Sequence, residues 1–205
     1  KYINSPESVV FSKKKLLYGM HLAKKHIKQS NNAIIVEGYF DVIAMAKNEF
    51  KNTVAVMGTA LTDFHAKQIA QYTDTVTLIF DSDNAGQNAI IKSIPALQKN
   101  NLKVNIANIG EKDPADFFVN NNTNQMNDII TQAKHYMDYY FETLSPNYNT
   151  SNPNDKSALV SKLADLLKTE PNKIVKDHYI NLFCDKLEIP KSIMQSHINK
   201  QPFSP

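Results

Sequence analysis

Apolar and polar positions along the chain follow two different rhythms. Up to about residue 118 short apolar runs alternate with helical stretches, and beyond it only helical spacing is found. The first dozen residues, with Asn4-Ser5-Pro6, read as loop or edge. Residues 13–29 predict a helix in which Leu16, Leu17, Met20, Leu22, Ala23 and Ile27 stand between lysines, broken by Ser30-Asn31-Asn32. Ala33-Ile34-Ile35-Val36 is a β-rich run too short for a buried helix, and helical spacing follows over 40–48. Thr53-Val54-Ala55-Val56 is a second run, ended by Met57-Gly58-Thr59, after which Thr62 or Asp63 could cap a helix reaching about Tyr72. Residues 75–80 carry the strongest strand signal, then a helix is predicted over 85–99 and a fourth run over 103–107. Strands alternating with helices of this length predict an α/β fold, a mostly parallel sheet with helices on both faces.

The later residues predict a small C-terminal helical bundle. Residues 120–124 read as a loop, and Met126, Ile129, Ile130, Ala133, Met137, Tyr140, Phe141 and Leu144 share one helical period. Residues 145–155 read as a linker, followed by helices over 155–169 and 172–188 and a short one from Pro190. The aromatic stripe of Tyr136, Tyr139, Tyr140 and Phe141 reads as core rather than as a base-stacking platform. The expected division is a basic lead-in over 1–32, an α/β module over 33–118 and a helical subdomain over 119–205.

Composition narrows the class. The 205 residues bury a sizeable core, and no window is apolar enough for a membrane helix. A single cysteine, Cys184, allows neither an internal disulfide framework nor a multi-cysteine zinc site. A soluble, cytoplasmic protein with no membrane partner is expected. All 23 basic residues are lysine, so phosphate contacts must come from ammonium groups, backbone N–H groups or metal rather than guanidinium forks. The net charge of +3 is unevenly spread: residues 1–30 carry +6, residues 31–118 carry −3 and the remainder is neutral. A basic lead-in beside an acidic block suits the handling of polyanions with divalent metal.

The acidic residues fall where chemistry is expected, beyond the carboxyl ends of the predicted strands. Glu37 follows the first run, Asp81 and Asp83 follow the third, and Asp113 follows the fourth. Asp81 and Asp83 would share a side and repel unless protonated or bridged by a cation. Hard oxygen donors without a cysteine or histidine cluster favour Mg²⁺ over zinc. Gly38, Gly58, Thr59 and Gly86 place small residues where a backbone could approach a phosphate.

Val36-Glu37-Gly38-Tyr39-Phe40-Asp41-Val42, Met57-Gly58-Thr59, Asp81-Ser82-Asp83-Asn84-Ala85-Gly86 and Lys112-Asp113-Pro114 together resemble the Toprim module in its bacterial DNA primase version. Lys1-Tyr2-Ile3-Asn4-Ser5-Pro6-Glu7, Phe11-Ser12-Lys13 and Leu17-Tyr18-Gly19 are similar to the stretch preceding that module. The resemblance implies a Toprim-like fold and an acidic metal site of Glu37, Asp41, Asp81, Asp83 and Asp113, with Glu37, Asp81 and Asp83 catalytic. It also implies nucleotide and phosphate contacts from Lys1, Asn4 and Lys13. Two positions depart from the family pattern. Ala115 stands where a second Asp is frequent, which leaves Asp116 as an alternative ligand, and Asn84 stands where a basic residue is frequent.

The implied activity is Mg²⁺-dependent synthesis of short RNA primers from ribonucleoside triphosphates on single-stranded DNA, with Mn²⁺ as a substitute and no zinc in this segment. The same resemblance implies a zinc-binding domain and more polymerase domain before Lys1, and contact with a replicative helicase through a domain outside this chain. Two other functions are compatible with a Toprim module. One is a metal-dependent nuclease or topoisomerase, and the other a non-catalytic binding module in a repair or replication assembly.

Overall fold

Four apolar runs become the parallel strands of one sheet. The computed structural model describes Ser8, residues 12–57 and residues 60–199, apart from the side chain of Asn84. The strands are β1 (Ala33–Val36), β2 (Thr53–Ala55), β3 (Thr75–Leu78) and β4 (Lys103–Ile106), and a two-residue β5 (Lys134–His135) pairs antiparallel with β4. The spatial order is β2-β1-β3-β4-β5. The helices between them are α1 (Met20–Ser30) before β1, α2 (Tyr39–Lys47), α3 (Asp63–Ala70) and α4 (Asn84–Lys99). Two more, α5 (Pro114–Asn120) and α6 (Thr123–Thr131), lie between β4 and β5.

Alternation along the strands makes two apolar faces. Ile34, Val36, Ala55, Ile79 and Ala107 form one core with Val42 and Met45 of α2, Phe117 of α5 and Met126 of α6. Ala33, Ile35, Val76 and Leu78 alternate to the other face and are equally buried. The step from β1 to β2 runs one way along the sheet and the steps to β3 and β4 run the other. Right-handed crossovers therefore put α2 on one face and α3 and α4 on the opposite one. Ile69, Ile90, Ile94 and Leu97 bury that second helix layer. Each fully buried aliphatic side chain contributes about 1.5–3 kcal/mol.

The lead-in differs from its expected single helix. Residues 13–15 form a turn, and Tyr18 pairs antiparallel with Ala55 through two backbone hydrogen bonds of 2.9 and 3.1 Å. Only then does α1 begin. Gly19 makes the corner at φ 82°, and a Cβ there would lie 3.1 Å from Val42 Cγ1. Pairing with the edge strand outweighs helix propensity because Leu17 buries beside it, at 4% exposure.

The chain divides into two compact units between His135 and Tyr136, so residues 119–135 lie within the first unit. Met126 of α6 is buried in the sheet's core, with Ile129, Ile130 and Ala133 packed against it. The helical period predicted from 126 to 144 thus runs across a break, and its first half belongs to the α/β unit. No helix among the described residues is long and apolar enough to cross a membrane.

The second unit is helical: α7 (Tyr136–Leu144), a 3₁₀ turn (Ser145–Asn147), α8 (Pro153–Thr169), α9 (Lys173–Leu187) and α10 (Lys191–Asn199). Asn152 and Asn172 cap α8 and α9, each accepting from two backbone N–H groups. Leu159, Leu163, Leu167, Phe183, Leu187 and Met194 fill the core, and the Phe141 and Phe183 rings stack at 5.4 Å. Tyr136, Tyr139 and Tyr140 are buried there as well. The Tyr136 hydroxyl donates to Oε2 of buried Glu170 at 2.8 Å, while Glu170 Oε1 accepts from Asn172 N–H at 2.8 Å. Tyr136→Phe should lower stability by about 1.5–3 kcal/mol, because it withdraws a donor from a buried carboxylate. A urea titration checks this, and an unchanged midpoint would deny the bond any weight.

Candidate functional site

Parallel strands deliver their carboxyl ends to one edge, and the chain's direction reverses between β1 and β3, the place where an open α/β sheet forms a crevice. Glu37 leaves β1 and Asp81 follows β3, so these two flank that point. Asp83 lies just beyond Asp81, and Asp113 follows β4 on the far side. Thr62 opens α3 at the β2 end of the same row.

Backbone hydrogen bonds hold several of these groups. Glu37 Oε1 accepts from Asp81 N–H at 3.2 Å, joining the ends of β1 and β3. Asp83 is the N-cap of α4, with Oδ1 accepting from Gly86 N–H at 2.8 Å. Asp113 is the N-cap of α5, with Oδ1 accepting from Asp116 N–H at 2.8 Å. Ser82 N–H donates to Lys112 O at 3.3 Å, tying the loops after β3 and β4. Asp41 is buried at 6% exposure in the first turn of α2, where Oδ2 accepts from Gly38 N–H at 2.9 Å. A further backbone hydrogen bond from Ala115 reaches the same carboxylate, so Asp41 links the starts of α2 and α5.

The charges are felt across the row. Burial pushes Glu37 up from the usual carboxylate range, and the charges of Asp81, Asp83 and Asp41 add to the shift. Asp81 is raised by burial, then by Asp113 and Asp83, with Lys112 opposing and Asp116 adding a smaller push. Asp41 is pushed up to about 6, first by burial and then by Asp113 and Asp81. This is the response of carboxylates that are partly buried and brought close together. No group of three or more His, Cys, Asp or Glu side chains among the described residues is arranged to hold a metal ion. The acids converge electrostatically without closing into a ligand shell.

The small residues divide by position. Gly38 N–H is committed to Asp41. Gly86 is buried, and a Cβ on it would fall 2.1 Å from Asp81 O, so its smallness serves the protein's own backbone. Lys1, Asn4, Gly58 and Thr59 lie outside the described residues. Lys13 is described, in the turn beside α3. Asp116 is exposed and gives its N–H to the α5 cap.

Thr62 and His65 were legible only in part. Thr62 accepts from His65 N–H at 3.3 Å, and Thr62 N–H donates back to His65 Nδ1 at 3.2 Å, a reciprocal cap with histidine in the place usual for Glu or Gln. Since Nδ1 accepts, Nε2 carries the proton and donates to Lys13 O at 3.1 Å. The signal in the sequence was the Thr-x-x-His spacing at the predicted helix start.

Burial holds the His65 imidazole below its usual range, against the opposing pull of hydrogen bonds to the Lys13 and Leu16 backbone. The unfolded chain therefore takes up the proton first, so stability falls as pH drops below about 6.5. His65→Gln has no titrating group there. The melting temperature of the native chain relative to this variant should decline from pH 7.5 to pH 5, and a constant difference would refute the shift.

Two family models match the chain. One, described as Toprim-like, covers residues 34–118, and the other, the DnaB-helicase binding domain of primase, covers residues 137–192. The DNA primase of Helicobacter pylori strain 26695 is 31% identical over 208 residues, spanning all of this chain but 37% of that protein. A crystal structure of a DNA primase domain from Pseudomonas aeruginosa superposes with a TM-score of 0.84 at 26% identity, covering 98% of this chain and 64% of that one. The structure of the DnaG primase catalytic domain bound to ssDNA gives 0.78 at 28% identity, covering 94% and 62%. The resemblance read from the sequence implies a helicase contact outside the chain, whereas the helicase-binding match lies within it, on the helical unit.

Proposed function

Because the chain belongs to the bacterial DNA primase family, of which it carries the Toprim module and the helical segment behind it, we propose that it serves a DNA-directed RNA polymerase making short primers on single-stranded DNA. The observation that carries this reading is the row of Glu37, Asp81 and Asp113 at the ends of three adjacent strands, with Glu37 raised by burial and the charge of Asp81, and Asp81 raised by burial and the charge of Asp113.

The donor set fits Mg²⁺, with Mn²⁺ as a substitute: hard carboxylate oxygens whose mutual repulsion a divalent cation would relieve. Glu37, Asp81, Asp83 and Asp113 would hold it. When bound, the metal neutralises triphosphate charge and activates the primer's 3′-hydroxyl. The chain's own groups prepare the place. Among the described residues no hydrogen bond reaches the Asp81 carboxylate, and the caps at Asp83 and Asp113 use Oδ1, which leaves Oδ2 for a cation. The Asp81 N–H keeps Glu37 beside the β3 end. Asp41, held by two backbone donors, acts as the brace between α2 and α5 rather than as a ligand.

Lys13 would contribute to template or nucleotide phosphate binding. The helical unit, on the strength of its match to the helicase-binding model, would meet the replicative helicase. Mn²⁺ soaked into crystals and located by anomalous scattering tests the site. Density is expected within roughly 2.0–2.6 Å of carboxylate oxygens from Glu37, Asp81, Asp83 or Asp113. Saturated Mn²⁺ found only elsewhere would overturn the assignment. Cleavage of supercoiled DNA without nucleotides would instead favour the topoisomerase or nuclease reading.

A further inference from the structure

The basic segment before α1 is attached to α3 by more than packing. Thr62 hydroxyl donates to Lys14 O at 2.7 Å, and His65 Nε2 donates to Lys13 O at 3.1 Å. Lys15 Nζ sits over the Phe64 ring, 5.2 Å from its centroid. Thr62, Phe64 and His65, in the cap and first turn of α3, thus grip three consecutive lysines. The turn closes on itself too, with Lys15 N–H and Leu16 N–H both donating to Ser12 O, at 3.0 and 2.9 Å. His65 is fully buried, and each ring nitrogen has a backbone partner. Lys14 and Lys15 are exposed.

Topology says where this grip lies. The α3 N-terminus follows β2, so it stands at the same carboxyl edge as Glu37, Asp81 and Asp113, one strand beyond Glu37. Cationic and acidic groups therefore occupy successive positions along one edge, a suitable track for a phosphate chain whose reacting end needs metal.

We infer that His65 is a positioning residue: with Thr62 it pins the backbone of Lys13 and Lys14 to the first turn of α3 and so holds this lysine segment in place to bind a nucleic-acid phosphate backbone. The inference rests on the functional reading above only in taking a polyanion as ligand. Histidine does here what neither half of a simple cap can do alone. Nδ1 satisfies the α3 N-cap while Nε2 reaches across to the lead-in. Glutamine has an acceptor and a donor at comparable reach, and is the conservative replacement.

The test uses the whole chain and a fluorescein-labelled oligothymidylate, without metal or nucleotide. His65→Ala should speed hydrogen exchange at the Lys15 and Leu16 amides about tenfold, the scale of one lost hydrogen bond. It should weaken oligonucleotide binding and shallow the log–log salt slope by about 0.7 per lost contact. Lys13→Ala should weaken binding in the native chain and add nothing in the His65→Ala background. His65→Gln should restore both exchange and binding, which a general loss of core stability would not allow. Thr62→Val supplies a second route to the same release where His65→Ala unfolds.

Unchanged amide exchange in the alanine and valine variants would overturn the inference. So would released amides with unchanged binding, which would make the grip a structural strap. It falls equally if Lys13→Ala has no effect in the native chain. A failure of the metal assignment appears in the anomalous scattering experiment alone, since this assay contains no metal.

Discussion

Asp81→Asn is expected to abolish primer synthesis, by at least about 10²–10³-fold, while leaving the fold as stable as before or slightly more so. Its carboxylate caps no helix, and it is raised by burial and by the charges of Asp113 and Asp83. Removing the negative charge relieves that repulsion, and the amide is nearly the same size. Asp83 behaves differently because it does two jobs. Asp83→Ala loses the acceptor for Gly86 N–H, which costs about 0.5–2 kcal/mol of stability. Asp83→Asn keeps the cap and should lose activity alone. The comparison is made in a polypeptide of the relatives' full length, with primer yield and melting temperature read side by side. Retained activity in Asp81→Asn would remove the residue from the proposed catalytic set.

Gly86→Ala should be the most damaging alanine substitution among the described glycines. The added Cβ would meet Asp81 O at 2.1 Å, Asp81 C at 2.9 Å and Asp81 N at 3.0 Å, all backbone atoms with no rotamer to yield. Either α4 withdraws or the turn carrying Asp81 and Asp83 moves. Overpacking of this kind costs about 1–3 kcal/mol and sometimes more. The displaced turn is also the one expected to carry metal, so Mn²⁺ binding should fall along with the urea midpoint. A variant that kept both values would show that the two segments part without strain.

The strands were legible because each is a β-branched run bounded by turn residues, and the ladder extends them where expected: Ile79 N–H still donates to Ile35 O after β3. The acidic row was legible for the same reason, since strand ends locate it. What the sequence did not disclose was the division of labour within it. That Asp83 and Asp113 each use one oxygen as a cap, and that Asp41 is buried as a brace, depends on backbone N–H groups brought near by folding. Helix α5, only seven residues long, was hidden by its brevity, and β5 by having two polar residues and no period. The continuous stripe from Met126 to Leu144 misled because both halves are amphipathic, each burying its face within a different unit.

The short outer strands have a consequence for solubility. An open sheet ends in rows of unmet N–H and C=O groups that a foreign strand can extend into an aggregate. Here β2 has three residues, and the backbone of Tyr18 already occupies Ala55 on its outer side. At the opposite margin β5 presents just Lys134 and His135, running against the sheet's direction. Among the described residues, a chain approaching from either flank finds only a short ladder to join, and at the second it meets a lysine. Self-association of the folded protein should therefore owe little to strand addition.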